Sequence, residues 1–570
     1  MILQPLVDIA EICARKKVSE VILSPGSRCA PLTLAFSRHP AIRVRTISDE
    51  RSAAFIGVGM AQMSGAPVAL VCTSGSAALN YAPAVAEAFF LQVPLLLLTA
   101  DRPPEWIDQQ DGQTIRQSHV YGKHVKKSFD LPVDYSHPDA SWQINRIINE
   151  AINLSRCDPP GPVHINVPIR EPFYPEEHES INYSRDVRII DQHFPPNLIT
   201  KPLKKTLFQK FRSYQKILIV AGQGKYDAAF VDMLRSFAVA WHIPVVADII
   251  SNCQLPDIGI KHQDAFLGID NEELLSKLAP NLLISFGKSV ISKQLKLFLR
   301  KYRAVEHWHI QPGGEVADTF QSLTDIFQLT PSVFFKTLQT VTQPELEEQH
   351  TFLNEWKAID RMVEQSCSRQ FSDGDFSEFS ATKTVLEALP ADSILHLANS
   401  MPVRYANYLG IQDQTIAVFA NRGTSGIDGS VSTAIGCALS TDKLVTLITG
   451  DMAFFYDRNA FWNHYLPANL RVIILNNHGG GIFGLIKGPD RQPELEERFE
   501  TYQPLRAENL CKEFDIEYAR CQDFPSLREK ISGFFNMENG AKILEIETEK
   551  AINKKFFTNF KHTINNIYGN

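Results

Sequence analysis

Two polar clusters late in the chain carry the residue types that hold a hard cation. Gly450-Asp451-Met452 is followed, across residues 453–475, by Asn476-Asn-His-Gly-Gly-Gly481. Asp451 is a charged oxygen donor, the side-chain amide of Asn477 a neutral one, and a loop carbonyl at Gly479 a third. Such a set suits a small octahedral cation, Mg2+ or Mn2+, and leaves coordination positions open for phosphate oxygens. A diphosphate held through a metal is therefore the chemistry expected, with glycines letting the backbone come close to it. Two ordinary strand-end turns would explain either cluster alone.

Clusters of this kind need strand ends to stand on, and the chain supplies them repeatedly. Leu6, Ile9, Ala10 and Cys13 have helical spacing, and the apolar run Val21-Ile-Leu23 then ends at Ser24-Pro-Gly-Ser-Arg28. Pro67–Cys72 runs into Thr73-Ser-Gly-Ser76, and Val93–Leu98 into Thr99-Ala-Asp-Arg-Pro-Pro104. Val163–Pro168 closes this first series. A second has strands at Lys216–Ala221, Ile243–Ala247 and Leu282–Phe286, and a third at Ser393–Ala398, Leu444–Ile448 and Val472–Leu475. Short, continuously apolar strands separated by helices indicate parallel sheets covered on both faces, with ligands at the carboxyl ends of the strands. The fold expected is α/β, with three doubly wound parallel-sheet domains over residues 1–180, 190–342 and 343–570. A Pro- and Glu-rich linker at Glu171–His178 follows the first, and a polar helix from Pro344 to Asp373 leads into the third. Gly222-Gln-Gly224 is a weak dinucleotide signal, because the third glycine of that fingerprint would fall at Asp227; a tight turn is the better reading.

Composition agrees with a large soluble protein. The chain has 570 residues, 44% hydrophobic and 21% charged, with 57 basic against 64 acidic residues for a net charge of −7, which argues against nucleic-acid binding. Nine scattered cysteines without a Cys-x-x-Cys pair fit reduced thiols and offer no zinc site. The opening Met1–Asp8 has no basic region followed by an apolar core, and runs such as Val93–Leu98 are far below the ~20 residues of a membrane span. A cytoplasmic protein with no membrane anchor is expected.

Set together, Gly450-Asp451 and Asn476-Asn477 resemble the thiamine-diphosphate signature, Gly-Asp-Gly followed some two dozen residues later by Asn-Asn. Met452 takes the place of the last glycine, and 453–475 is a spacer of 23. The resemblance implies thiamine diphosphate as cofactor and a carboxylate for its pyrimidine ring from a different domain. Glu50, in Ile47-Ser-Asp-Glu-Arg-Ser-Ala-Ala54, fits that role at a strand-to-helix turn. A carboxyl group there hydrogen-bonds the ring nitrogen and favours the imino tautomer, whose exocyclic nitrogen deprotonates the thiazolium carbon. The plain alternative is a helix-start acid, beside Asp49, stabilised by the helix dipole.

The loops Ser24–Arg28, Thr99–Pro104, Asp111–Arg116, Asn399–Arg404 and Asn421–Gly429 together resemble the 2-succinyl-5-enolpyruvyl-6-hydroxy-3-cyclohexene-1-carboxylate (SEPHCHC) synthase family of menaquinone biosynthesis. The resemblance spans nearly the whole chain and is thinnest in the middle domain. It implies a transferase that decarboxylates 2-oxoglutarate on the cofactor and adds the resulting enamine, in a conjugate, Stetter-like way, to isochorismate. Both substrates carry two carboxylates, and arginine binds carboxylate bidentately, so Arg28, Arg102, Arg404 and Arg422 are expected to gather around them. Carried over from the family, Ser27, Arg28, Arg102 and Gln113 face isochorismate, while Ser400, Arg404 and Arg422 hold the oxoglutarate-derived part. Ile427 props the cofactor in its bent shape. Gly423, Gly450, Met452, Gly479, Gly480 and Ile482 line the cofactor, and Phe483 walls the pocket with Ile482. Lys293 matches a middle-domain basic residue loosely, an exposed helix lysine being the alternative. Gly112 stands where the family often has Asn. His478 is placed near the diphosphate, with a structural role equally open. Arg300, Lys301 and Arg303 read as a solvated helix face. Glu50 and Asp451 meet across a subunit boundary in the family, which implies a homodimer, possibly paired into a tetramer. Two other readings stay open: a decarboxylase or acetolactate-type synthase, and a non-catalytic or NAD-binding Rossmann assembly.

Overall fold

The computed structural model describes residues 3–171, 174–176, 179–193, 198–342, 347–372, 375–486 and 488–567. Part of the expected linker (172–173 and 177–178) and both ends of the expected polar helix (Pro344 and Asp373) lie outside the described residues.

Three six-stranded sheets, parallel throughout, succeed one another along the chain. The first contains β1 (Glu20–Leu23), β2 (Arg43–Thr46), β3 (Val68–Cys72), β4 (Leu95–Asp101), β5 (Ser128–Asp130) and β6 (Val163–Pro168), in the order β2-β1-β3-β4-β6-β5. The second contains β7 (Ile217–Ala221), β8 (Val245–Ala247), β9 (Gly259–Ile260), β10 (Leu282–Phe286), β11 (Glu306–Ile310) and β12 (Asp325–Phe327), ordered β12-β11-β10-β7-β8-β9. The third contains β13 (Ile394–Leu397), β14 (Ala417–Ala420), β15 (Val445–Gly450), β16 (Leu470–Asn476), β17 (Glu517–Cys521) and β18 (Lys542–Glu547), ordered β14-β13-β15-β16-β18-β17. The first and third sheets thus share one topology, and the second has the dinucleotide-fold order. Fully buried strands such as Val68–Cys72 and Leu95–Asp101 explain the continuous apolar runs, since helices cover both faces.

Two helices weld the first sheet unit to the third. Glu50–Ser64 and Ser430–Ala438 cross at glycines: a Cβ on Gly59 would lie 2.0 Å from the Thr433 carbonyl, and one on Gly436 2.0 Å from the Ile56 carbonyl. Backbone-to-backbone contact is possible only because neither position has a side chain. Glu347–Ser372 joins the second unit to the third by burying Trp356 against Phe266 and Phe298, with ring centroids 5.8 and 6.0 Å apart. Among the described residues no helix is long and apolar enough to cross a membrane.

Candidate functional site

The loops after β15 and β16 build the metal-type cradle. Asp451 opens the helix Asp451–Tyr456 and is buried; its Oδ2 accepts a 2.6 Å hydrogen bond from Gln503 Nε2, and the backbone N–H groups of Met452 and Gly479 also reach the carboxylate. Burial pushes its pKa up to about 6 despite these donors. Across from it, Asn477 Nδ2 donates to Glu378 Oε1 at 2.7 Å, while Asn477 Oδ1 is buried and has no partner. An orphaned buried carbonyl oxygen is rare because it forfeits its solvation, so it marks a place for a ligand. A charged oxygen, a neutral unpaired oxygen and the nearby Gly479 carbonyl fit a hard cation carrying phosphate oxygens. Glycines keep the cradle open: a Cβ on Gly481 would come within 2.8 Å of Asn477 Nδ2, and one on Gly479, at φ +154°, within 2.6 Å of the Glu500 carbonyl. Gly450, by contrast, faces open space.

Glu378 is a residue that sequence reasoning missed. It starts the helix Glu378–Glu387, whose cap is Ser377, and is buried. Burial, then the charge of Asp451, pushes its pKa up to about 8. Its hold on Nδ2 fixes which way the Asn477 amide points. Gln503, also missed, locks Asp451. No local motif announces either residue. His478 is held by its neighbours: Nε2 lies 2.9 Å from Glu547 Oε1, which also accepts from Arg506 Nη2 at 2.8 Å, and Nδ1 lies 3.1 Å from the Gln503 carbonyl.

Glu50 opens its helix after the loop that follows β2. Asp49 caps that helix, accepting from the backbone N–H groups of Arg51 and Ser52, and the Glu50 carboxylate accepts from Asn80 Nδ2 at 3.2 Å. The same turn grips the far end of the Asp451 helix, since Arg51 Nη2 donates to the Tyr456 carbonyl at 2.7 Å and Asn459 Nδ2 to Asp49 Oδ2 at 2.7 Å. Among the described residues no contact joins Glu50 to Asp451 within the chain. Loop 421–429 is anchored by the buried Glu87, another residue not foreseen, which accepts from Gly423 N at 2.8 Å and from Thr424 N at 2.7 Å. Ile427 projects from that loop and remains 37% exposed. Ile482 leans on the third unit's core, and the Phe483 ring lies 5.8 Å from Phe499.

The four arginines fall into two groups. Ser400, at φ +74°, leads into the helix Met401–Leu409, a strained backbone for a residue with a side chain. Its carbonyl accepts from Arg404 Nη1 at 2.5 Å, and neighbouring Asn399 Oδ1 accepts from Arg422 Nη1 at 2.7 Å. Arg422 Nε is buried without a partner, and its pKa is lowered by burial and then by the charge of Arg404. These two guanidiniums are therefore near neighbours, and neither is ion-paired to a carboxylate among the described residues. Arg28 and Arg102 stand on the first sheet. Arg28 Nη1 donates to the Ile169 and Arg170 carbonyls at 2.8 and 2.5 Å; Arg102 Nη2 donates to the Gly112 carbonyl at 3.1 Å. Ser27 and Gln113 are exposed beside them, as is Lys293 at the start of the helix Lys293–Lys301. Gly222 belongs to a tight turn: a Cβ there would lie 2.3 Å from the Lys288 carbonyl. Arg300, Lys301 and Arg303 are engaged by the Thr319 carbonyl, Glu272 and Gln321.

Three such sheets, with a cation cradle on the third and a helix-start acid on the first, are the architecture of thiamine-dependent enzymes. The chain matches family models there: residues 7–120 match the thiamine pyrophosphate enzyme N-terminal TPP-binding domain, and residues 191–397 the middle domain of thiamine pyrophosphate enzymes. Proteins named 2-succinyl-5-enolpyruvyl-6-hydroxy-3-cyclohexene-1-carboxylate synthase are similar over almost their entire length. That of Cytophaga hutchinsonii is 46% identical, covering 99% of this chain and 100% of the relative; that of Flavobacterium johnsoniae is 39% identical over 95% of each. The Bacteroides fragilis protein is 35% identical over 96% of this chain and 97% of its own. The chain belongs to the SEPHCHC synthase family of thiamine-diphosphate enzymes.

Proposed function

We propose that the protein decarboxylates 2-oxoglutarate and joins the remaining four-carbon unit to isochorismate by conjugate addition, giving SEPHCHC and CO2 in menaquinone biosynthesis. The structural observation that carries the substrate assignment is the Arg404–Arg422 pair, two largely buried guanidiniums with no ion pair among the described residues, although Asp264, Asp248 and Glu87 act on them from farther off. Such a pair favours an anionic substrate, since desolvated like charges are stable only with an anion between them.

Thiamine diphosphate supplies the carbanion chemistry that lets a 2-oxoacid lose CO2 and form a new carbon–carbon bond. Asp451, Asn477 Oδ1 and the Gly479 carbonyl would hold Mg2+ or Mn2+ and through it the diphosphate, while Gly450, Met452 and Gly480 would shape the backbone around it. Glu50 holds a proton at the pyrimidine nitrogen. Gly423 and Ile427 set the cofactor's conformation, and Ile482 and Phe483 keep water from the reacting carbon. Arg404, Arg422 and Ser400 bind the oxoglutarate part; Ser27, Arg28, Arg102 and Gln113 orient isochorismate. The lack of a contact between Glu50 and Asp451 among the described residues of one chain supports a homodimer in which Glu50 is supplied by a second copy. The described cysteines are all free thiols, consistent with the cytoplasm.

The test supplies purified protein with thiamine diphosphate, Mg2+, isochorismate and either 2-oxoglutarate or pyruvate. Isochorismate should disappear only with 2-oxoglutarate, with one CO2 released for each molecule consumed. Carboligation of pyruvate with isochorismate untouched would refute the assignment.

A further inference from the structure

Lys293 and Lys296 lie on one helix, three residues apart, yet in different surroundings. Ser292 caps this helix, its Oγ accepting from Leu295 N at 3.1 Å and donating to Asp264 Oδ1 at 2.6 Å. Lys293 is exposed at the first turn, whereas Lys296 is half-buried on the wall of a cavity of about 680 Å³. That cavity opens at the carboxyl ends of β7 and β10, where the strand order of the second sheet reverses. Its wall includes Gln223, whose Nε2 donates to the Ala420 carbonyl at 3.0 Å. Ala420 ends β14, two residues before Arg422, so the cavity abuts the loop that carries the substrate-site arginine.

Lys296 has no hydrogen bond or ion pair among the described residues. Its pKa is lowered by burial and then by Arg422, with Arg300 acting the same way against Asp248 and Asp264. Both acids act on Lys296 only from a distance, since neither forms a hydrogen bond or ion pair with it among the described residues. Asp248 accepts from the N–H groups of Ile250, Ile291 and Ser292, and Asp264 accepts from Ser292 Oγ and Gln294 N. A partly desolvated ammonium close to a guanidinium is unfavourable alone and becomes favourable when an anion bridges them.

We propose that Lys296 is a third cation of the substrate site, binding with Arg404 and Arg422 the carboxylate of 2-oxoglutarate that survives the reaction; this rests on the function proposed above. The carboxylate lost as CO2 gains nothing from tight binding in the ground state, whereas the distal one is an anchor throughout. Two planar forks and one compact ammonium on a flexible stem suit such an anchor.

The experiment measures steady-state constants for Lys296→Gln, Lys296→Arg and, with the packed stem kept, Lys296→Met. Lys301→Gln, on the same helix but paired to Glu272, is the control. Gln and Met variants should raise KM for 2-oxoglutarate about tenfold or more. KM for isochorismate, thiamine diphosphate affinity and the thermal midpoint should stay near wild type, and Lys296→Arg should recover most of the loss. An unchanged KM for 2-oxoglutarate, or equal rises for both substrates, would overturn the role of Lys296. Should either variant lack folded protein, the other and Lys296→Arg decide the matter by the same KM comparison. A wild-type enzyme that leaves isochorismate untouched would instead overturn the functional assignment itself.

Discussion

Asn477 shows how one hydrogen bond decides what a residue can do. With its amide nitrogen committed to Glu378, its oxygen has only the cradle to face, and Asp451 is aimed there by Gln503. Replacing Asp451 by Ala leaves a neutral oxygen that cannot hold a hard cation alone. Calorimetric titration of thiamine diphosphate into Asp451→Ala should therefore show loss of the Mg2+-dependent part of binding, a weakening of about 100-fold or more. Affinity equal to wild type would mean the metal sits elsewhere. Asp451, Asn477 and Glu50 were singled out from the sequence because they lie in short motifs beside strand ends, where the structure also puts them. Glu378, Gln503 and Glu87 were not, because each acts through a partner far along the chain that only the folded structure brings near.

The crossing of Glu50–Ser64 with Ser430–Ala438 fixes how the helix that Glu50 opens sits on the third sheet unit. An added methyl at Gly59 would meet the Thr433 carbonyl at 2.0 Å, so the helices must part. Gly59→Ala should lower stability by about 1–3 kcal/mol and reduce turnover as well, measured by denaturant unfolding and steady-state rates. Wild-type values for both would show that the contact is slack. On β13, His396 is buried, stacks on Phe419 with centroids 5.4 Å apart, and has an unpartnered Nε2. Burial lowers its pKa from 6.5 to about 3, so between these values the unfolded chain binds the extra proton. Stability from the neutral ring is thus intact above pH 6.5 and drains as pH falls, by about 1.4 kcal/mol per unit. Thermal midpoints of His396→Phe should fall less steeply than wild type from pH 6.5 to 5, and identical slopes would refute this. The strands legible in the sequence are the continuously apolar ones, such as β3, β4 and β7. Short edge strands such as β2 (Arg-Val-Arg-Thr) lack that signature. Interior β18 also escaped, because its Glu545 is buried but satisfied by Asn476, Tyr518 and Ala507.

At the scale of the whole molecule, a net charge of −7 argues against nucleic-acid binding yet says nothing of the local cationic site, where Arg404 and Arg422 have no ion pair among the described residues. The three-sheet organisation was legible from repeated strand-end loops; the shared topology of the first and third sheets was not, since strand order depends on pairing rather than on any single segment. That likeness matters, because one sheet supplies Glu50 and the other Asp451, and within one chain the Glu50 turn grips the opposite end of the Asp451 helix. The central claim is a site for 2-oxoglutarate and isochorismate completed by two copies. It is tested most directly by mixing Glu50→Gln and Asp451→Ala chains, letting subunits exchange, and measuring isochorismate consumption with 2-oxoglutarate. Each variant alone should be nearly inactive, and random mixing should restore about a quarter of wild-type activity, because each mixed dimer keeps one intact site. A mixture in which subunits demonstrably exchange but activity stays at the sum of the two parents would contradict the account.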